Sequence, residues 1–345
     1  MNKFSIGVDL GGTNLRIAAV DEQGKLIEKI TLGTKVSLGR DHVIGDMCEA
    51  IQRMSARFQD SAPLLGIGIG VPGIIDMQTG LLRESPNLPG WADYPVRAEI
   101  ERRLKTIVIL ENDANVAALG EQWLGAARDF PDMAMLTLGT GVGGGLILGG
   151  AIWRGANGMA GEFGHITVEP EGQLCGCGNR GCVEQYASAT AVVRMARDAA
   201  AGNAGSALAR AASSDPEFSA KSIYNLAIQG DEDARRIFRY VGRCLGIVLS
   251  ALINSLNLPM YVIGGGASSA WDAFAPSIFE ELRRRCYVYV ATAPHDPTAT
   301  ASKDGASARL EAGPGRKTII ARALLGSDAG LYGAARLPMI AKTSR

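Results

Sequence analysis

The chain lacks a surplus of either charge, with 35 Lys and Arg against 35 Asp and Glu. Without a basic excess or a Lys/Arg run it has little to grip a phosphate backbone with, which argues against nucleic acid as a partner. No apolar region or cleavage site of the secretory kind follows Met1, and no stretch of 18 apolar residues runs without polar interruption. These absences predict a cytoplasmic chain with no membrane partner. Histidine is scarce at three, and cysteine numbers only six. Cys48, Cys244 and Cys286 are scattered and read as ordinary partly buried thiols. His42 and His295 read as surface residues. A small-molecule partner fits this composition best.

What is present is length and glycine. A chain of 345 residues exceeds what one core usually holds, so two domains are expected. The 44 glycines cluster in short runs, as tight turns and close backbone approach to a ligand require. Lys3 to Leu10 reads as a strand running into Gly11-Gly12-Thr13, and strands follow at Leu15 to Asp21 and from Leu26. Val43, Ile44, Met47, Ile51, Met54 and Phe58 recur at helical spacing. Strands are expected at Leu65 to Val71 and Ile107 to Leu110. Helices are expected at Val96 to Leu104 and Asn115 to Gly125. Met133 to Leu138 is a strand ending in Gly139-Thr140-Gly141-Val142-Gly143-Gly144-Gly145, with Leu146 to Leu148 as the return strand. Strand, glycine turn, strand thus occurs twice, which reads as a duplicated architecture. Residues 190–257 are mainly helical, Met260 to Ile263 is a strand, residues 291–316 read as a surface loop, and a final helix begins at Ala329 to Ala335.

Three glycine runs carry the first chemical signal. Gly7 to Asn14 places Asp9 on a strand end beside Gly11-Gly12 and Thr13. Glycine N–H groups and a hydroxyl can meet a phosphate there, and Asp9 can serve a magnesium-bound water. Alone, the run could equally be a hairpin turn with a capping Asp. Gly139 to Gly145 repeats the pattern, and Gly264-Gly265-Gly266 follows a third strand. Together they suggest phosphates held from both sides of a cleft. No P-loop ending is present, and neither strand–glycine–strand run opens directly into a helix as a dinucleotide fingerprint would. Asp113, in Glu111-Asn112-Asp113-Ala114-Asn115, lies between a strand and a helix. It could cap the helix or accept a hydroxyl proton beside the phosphate turns. His165, Cys175, Cys177 and Cys182 form a tetrahedral zinc set, although Cys-x-Cys is tighter than the common spacing and a disulfide or free thiols would also fit. Four protein ligands leave no position for substrate, so the zinc would be structural.

These residues together resemble the ROK family of sugar kinases and repressors. The match runs in family order through Gly7 to Arg16, Gly70 to Gly73, Pro86-Asn87-Leu88 with Trp91, Glu111 to Asn115, Gly139 to Gly145, Gly161 to His165, Cys175 to Glu184 and Gly264 to Gly266. The stretch Cys175 to Ala189 looks most like the bacterial glucokinases of the family. The resemblance implies an α/β, actin-like ATPase (ribonuclease H-like) fold with two domains and a central cleft. The domains would be 1–116 plus about 325–345, and 117–324. It implies Asp113 as the catalytic base. Sugar contacts would come from Gly73, Asn87, Asn112, Asp113, Glu162, His165 and Glu184. Phosphate and metal contacts would come from Asp9, Gly11, Gly12, Thr13, Asn14, Gly139, Thr140 and Gly141, with Gly264, Gly265 and Gly266 on the adenosine side. His165 would set one ring nitrogen on zinc and the other on sugar. ATP, Mg2+ and structural Zn2+ follow as cofactors, glucose as the acceptor, and a homodimer as the assembly.

The reaction expected on this basis moves the γ-phosphoryl of ATP to the 6-hydroxyl of glucose, with domain closure excluding water. Three rivals remain in view. One is a kinase for mannose, fructose or an N-acetylhexosamine. A second is a DNA-binding repressor, which would need a helix-turn-helix ahead of a phosphate turn that here begins at residue 7. The third is an actin-like assembly or chaperone ATPase, which would not need the zinc loop or Asn112-Asp113.

Overall fold

A computed structural model describes residues 3–60, 62–294 and 317–341. In chain order the elements are β1 (Phe4–Leu10), β2 (Asn14–Asp21), β3 (Leu26–Gly33), α1 (Arg40–Phe58), β4 (Leu64–Val71), β5 (Ile74–Asp76), β6 (Leu81–Glu84), α2 (Val96–Leu104), β7 (Val108–Asn112) and α3 (Asp113–Leu124). Then come β8 (Met133–Leu138), β9 (Val142–Leu148), β10 (Ala151–Ile152), α4 (Glu184–Ala187), α5 (Ala189–Gly202), α6 (Ala207–Ser214), α7 (Ala220–Gln229) and α8 (Glu232–Leu256). The chain finishes with β11 (Met260–Gly264), α9 (Trp271–Arg285), α10 (Tyr287–Thr292), β12 (Ile319–Arg322) and α11 (Ala329–Ala341).

Two five-stranded sheets share one topology. The first has the order β3-β2-β1-β4-β7 and the second β10-β9-β8-β11-β12. In the first, β1 is antiparallel to β2 and parallel to β4, which is parallel to β7. In the second, β8, β11 and β12 run parallel, and β10 is antiparallel to β9. The order of strands in the chain maps onto the same places in each sheet, so the duplicated strand–turn–strand pattern is a duplicated sheet. The chain has the actin-like ATPase fold.

The chain divides into two units, 1–131 with 145–161 and 324–345, and 132–144 with 162–323. The first therefore extends past the boundary expected at residue 116, because α3 packs against α11. Glycine makes that packing possible. A Cβ on Gly333 of α11 would lie 1.7 Å from the Val116 carbonyl oxygen of α3. A Cβ on Gly68 of β4 would lie 1.9 Å from that of Ala334. On the other side of the sheet, α1 buries Val43, Ile44, Met47, Ile51 and Met54 against β-strand residues such as Ile6, Val8, Ile17 and Ile69.

Within the second unit four of the helices start where polar side chains take the first free amides. Ser188, Ser206, Ser219 and Asp231 accept from Ala191, Ala209, Ser222 and Ala234 to open α5, α6, α7 and α8. By length and composition α8 could cross a membrane, but 67% of its apolar window is buried inside the fold. That is the condition of a core helix.

Three expectations need correction. The helix expected from Asn115 begins at Asp113, because Asn112 caps it. Gly143 to Gly145 belong to β9 and not to a turn. Gly145 is small because a Cβ there would meet the Ala118 Cβ at 2.7 Å and the Ala114 carbonyl oxygen at 2.9 Å. The loop expected at 291–316 begins two residues late, since α10 runs to Thr292, and the rest of that stretch from residue 295, His295 included, lies outside the described residues.

Candidate active site

The expected site residues fall into two sets, one in each unit. In the first unit, Asp9 is the next-to-last residue of β1 and faces Arg16 across the β1–β2 pair. The Arg16 Nη1 lies 3.0 Å from the Asp9 Oδ2. Burial pushes the Asp9 carboxyl above its usual range, and the guanidinium opposes that shift. The turn between the strands closes with the Gly11 amide donating to the Asn14 carbonyl at 2.9 Å and the Thr34 hydroxyl donating to the Gly11 carbonyl at 2.6 Å. Thr13 and Asn14 are left exposed. A Cβ on Gly12 would lie 2.9 Å from the Asn87 carbonyl oxygen, so the Asn87 loop backs this turn. In that loop Leu88 and Trp91 are each 1% exposed. They anchor it while Asn87 stays outward.

At the end of β7 the polar side chains are oriented by local hydrogen bonds. The Asn112 Oδ1 accepts from the Ala114 and Asn115 amides at 2.9 and 3.2 Å, and its Nδ2 donates to the Gly73 carbonyl at 3.2 Å. Asn112 is therefore the helix cap. Asp113 is the first residue of α3, half-buried, with its Oδ1 accepting from the Ala114 amide at 2.9 Å. Gly73 has φ +113. That conformation, with Glu84 and Ser85 packed close, suits glycine alone. The residue that sequence reasoning left without a role is Glu111, 1% exposed. Its Oε1 accepts from the Asn112 amide and the Asn115 Nδ2, both at 3.0 Å. Its Oε2 accepts from Arg154 Nε at 2.7 Å, and the Arg154 Nη2 lies 2.7 Å from it as an ion pair.

In the second unit the turn after β8 is built by its own backbone and by α4 and α5. The Gly139 amide donates to the Gly141 carbonyl at 2.9 Å, and the Ala189 amide to the Gly139 carbonyl at 2.8 Å. The Thr190 hydroxyl donates to the Thr140 carbonyl at 2.8 Å. Glu184, at the start of α4, accepts the Val142 amide on Oε2 at 2.9 Å. Gly141 leaves that oxygen room, since a Cβ would stand 2.3 Å from it. Gly264 ends β11, Gly265 has φ +82, and Gly266 opens a short 3-10 helix leading to α9. This third run thus leads from a strand into helix, unlike the first two.

His165, Cys175, Cys177 and Cys182 come together with their ligand atoms all within 4.8 Å of one another. The Cys177 and Cys182 sulfurs are 3.7 Å apart, and the Cys175 sulfur is 3.6 Å from His165 Nδ1. A tetrahedral ion with sulfur at ~2.3 Å and nitrogen at ~2.0–2.1 Å sets its ligands about 3.8 Å (S to S) and about 3.6 Å (S to N) apart. A disulfide would need about 2.05 Å, and the thiols are free. Burial pushes the Cys182 thiol up to about 12, while the Asn179 backbone amide holds Cys177 below its usual value. The donor set fits a metal ion, whose binding would displace thiol protons. The other face of the ring, Nε2, points to Glu162 Oε2 at 3.8 Å. His42 lies far along the chain on α1, paired with Asp46 at 3.4 Å. Cys48, Cys244 and Cys286 are buried.

A family model described as ROK family matches residues 5–338. A glucokinase of Halalkalibacterium halodurans is 36% identical over 334 residues, 96% of this chain and 94% of that protein. A glucokinase of Thermotoga maritima is 40% identical over 285 residues, 83% of this chain and 87% of that protein. Among solved structures, a ROK family glucokinase from Streptomyces griseus in complex with glucose and AMPPNP is 33% identical. It covers 97% of this chain and 98% of its own, with a TM-score of 0.76.

Proposed function

The chain belongs to the ROK family, and from that membership we propose that it is a hexose kinase transferring the γ-phosphoryl of ATP to the 6-hydroxyl of glucose. The observation that carries this is the strand-end pair Asn112–Asp113, with Asn112 as the cap, in a chain similar to glucokinases along nearly their whole length. Asp113 takes the proton of the 6-hydroxyl as that oxygen bonds to the γ-phosphorus, while the bond to the β-phosphate oxygen breaks and ADP leaves. The backbone at Gly73 and the side chains of Asn87, Asn112, Glu162, His165 and Glu184 hold sugar hydroxyls. An acceptor lacking one hydroxyl would leave a buried partner unpaired. Gly12, Thr13 and Asn14, with Thr140 and Gly141, offer donors to the phosphates, while the Gly11 and Gly139 amides shape the two phosphate turns by closing them, and Gly264 to Gly266 lie on the adenosine side. Mg2+, served through Asp9, would neutralise charge on the phosphates. Zn2+ on His165, Cys175, Cys177 and Cys182 would order a glycine-rich loop and fix the ring of His165.

A panel of hexoses at equal concentration tests the acceptor. Glucose should give the highest kcat/KM. A higher value for mannose, fructose or an N-acetylhexosamine would move the assignment to that sugar. The resemblance also supports a homodimer, and light scattering should give twice the chain mass of 36.2 kDa; a monomer at micromolar protein would refute it.

Glu184 reaches the phosphate turn through the Val142 amide, and a methyl at residue 141 would displace that carboxylate. Gly141→Ala is therefore expected to weaken binding of an ATP analogue about tenfold, or about 1.4 kcal/mol. The displaced atom is the end of a flexible side chain, so the melting temperature should hold. Titration without sugar checks this, and an unchanged dissociation constant would mean that the turn does not depend on Glu184.

A further inference from the structure

The segment between β10 and residue 161 contains one charged side chain that reaches back to the strand end. Arg154 donates from Nε to Oε2 of Glu111 at 2.7 Å, and its Nη2 lies 2.7 Å from the same oxygen as an ion pair. Glu111 is almost wholly buried at 1% exposure, whereas Arg154 is 40% exposed. A buried carboxylate needs a partner charge and a full set of donors. Here Arg154 supplies the charge on Oε2, and Oε1 is left to hold the Asn112 amide and the Asn115 side chain. Asn112 in turn caps α3 and ties its Nδ2 to the Gly73 carbonyl. Asp113 is the next residue, so its place follows from this chain of bonds.

We propose that Glu111 and Arg154 are positioning residues that set Asp113, Asn112 and the Gly73 carbonyl for the sugar hydroxyls. The proposal rests on the kinase reading above. Arg154 acts through Glu111 and touches neither substrate. Its work is to neutralise a carboxylate whose other oxygen orients the turn. Gln at 111 keeps a carbonyl oxygen for the Asn112 and Asn115 donors without needing a charge, so it should make Arg154 dispensable.

The test uses the full chain with Arg154→Met, Arg154→Lys and the double variant Glu111→Gln/Arg154→Met. Arg154→Met is expected to lower kcat about tenfold or more and to raise KM for glucose, with the sugar-free dissociation constant of an ATP analogue unchanged. A loss of folded protein alone would not give that split. Arg154→Lys should fall between, since an ammonium keeps the charge but lacks the planar, pre-organised guanidinium. The double variant should recover most of the lost kcat. Arg154→Met with wild-type kcat and KM would overturn the proposal. So would a double variant as slow as Arg154→Met, because Arg154 would then act directly on substrate. If Arg154→Met does not fold, the double variant decides alone: kcat within about fivefold of wild type supports the proposal, and a larger loss overturns it. Should the wild-type chain phosphorylate no hexose at all, it is the kinase reading that fails.

Discussion

Asp113→Asn is expected to lower kcat by about 10²–10⁴-fold, which is what a general base typically contributes. That corresponds to roughly 2.7–5.5 kcal/mol of barrier. Asn keeps the shape of the side chain and an oxygen that can accept from the Ala114 amide, the bond seen at 2.9 Å. The cap of α3 belongs to Asn112, so the helix start should survive and melting should stay near wild type. Sugar binding should persist, because the proton acceptor is lost but the other hydroxyl partners are not. Steady-state kinetics with isothermal titration of glucose separates the two effects. A variant with more than about a tenth of wild-type kcat would show that Asp113 is not the base. Lost glucose binding at normal melting would show that it serves mainly as a sugar contact.

Loss of the metal is expected to have the second largest effect. Metal analysis should find one zinc per chain in protein purified without chelator, and Cys177→Ser should remove most of it. Cys177 is the exposed member of the set, so the substitution disturbs little packing of its own. The cost arises because the loop around Cys175 to Cys182 holds few apolar side chains, and structural zinc supplies folding free energy directly. His165 is tied to the cluster through Nδ1 and faces Glu162 through Nε2. Displacing it should raise KM for glucose about 10–100-fold, the range found when groups that orient a metal ligand are removed. Melting should fall as well. If melting falls and KM does not, the cluster is structural only and His165 does not face sugar. An absence of zinc, or a disulfide among these cysteines, would remove the site altogether.

How far the sequence speaks for the fold depends on the type of signal. Local patterns are legible. The apolar spacing of α1 returned Val43, Ile44, Met47, Ile51 and Met54, which α1 buries, although Phe58 is only partly buried and Cys48 and Ala50 join the buried face, and the repeated strand–glycine–strand runs pointed to a duplicated architecture, which is a duplicated sheet. The four residues proposed to hold zinc, Cys175, Cys177, Cys182 and His165, lie close in the chain, and they are close in space. Less legible is what glycine is for. Gly141 spares the Glu184 carboxylate, whereas Gly145, in the same run, makes room for α3. Sequence alone does not separate these uses, because both need only the absence of Cβ. Short strands such as β5, β6 and β10 carry too few residues for a period-two pattern to register. The Glu111–Arg154 pair spans 43 residues. An acid at a buried strand end hints that a partner exists, but nothing in the pattern points to position 154. The sequence likewise leaves Asp113 open as helix cap or as base, and the cap falls to its neighbour Asn112. Only the hydrogen bonds decide it.

The proposed chemistry is tested most directly by following product with ATP, Mg2+ and glucose together, and with glucose omitted. Phosphorus NMR of the mixture should show ADP and glucose 6-phosphate appearing in equal amounts, with little ADP formed when glucose is absent. ADP released at the same rate without sugar, or phosphate appearing on no hexose, would contradict the assignment of this chain as a kinase of glucose.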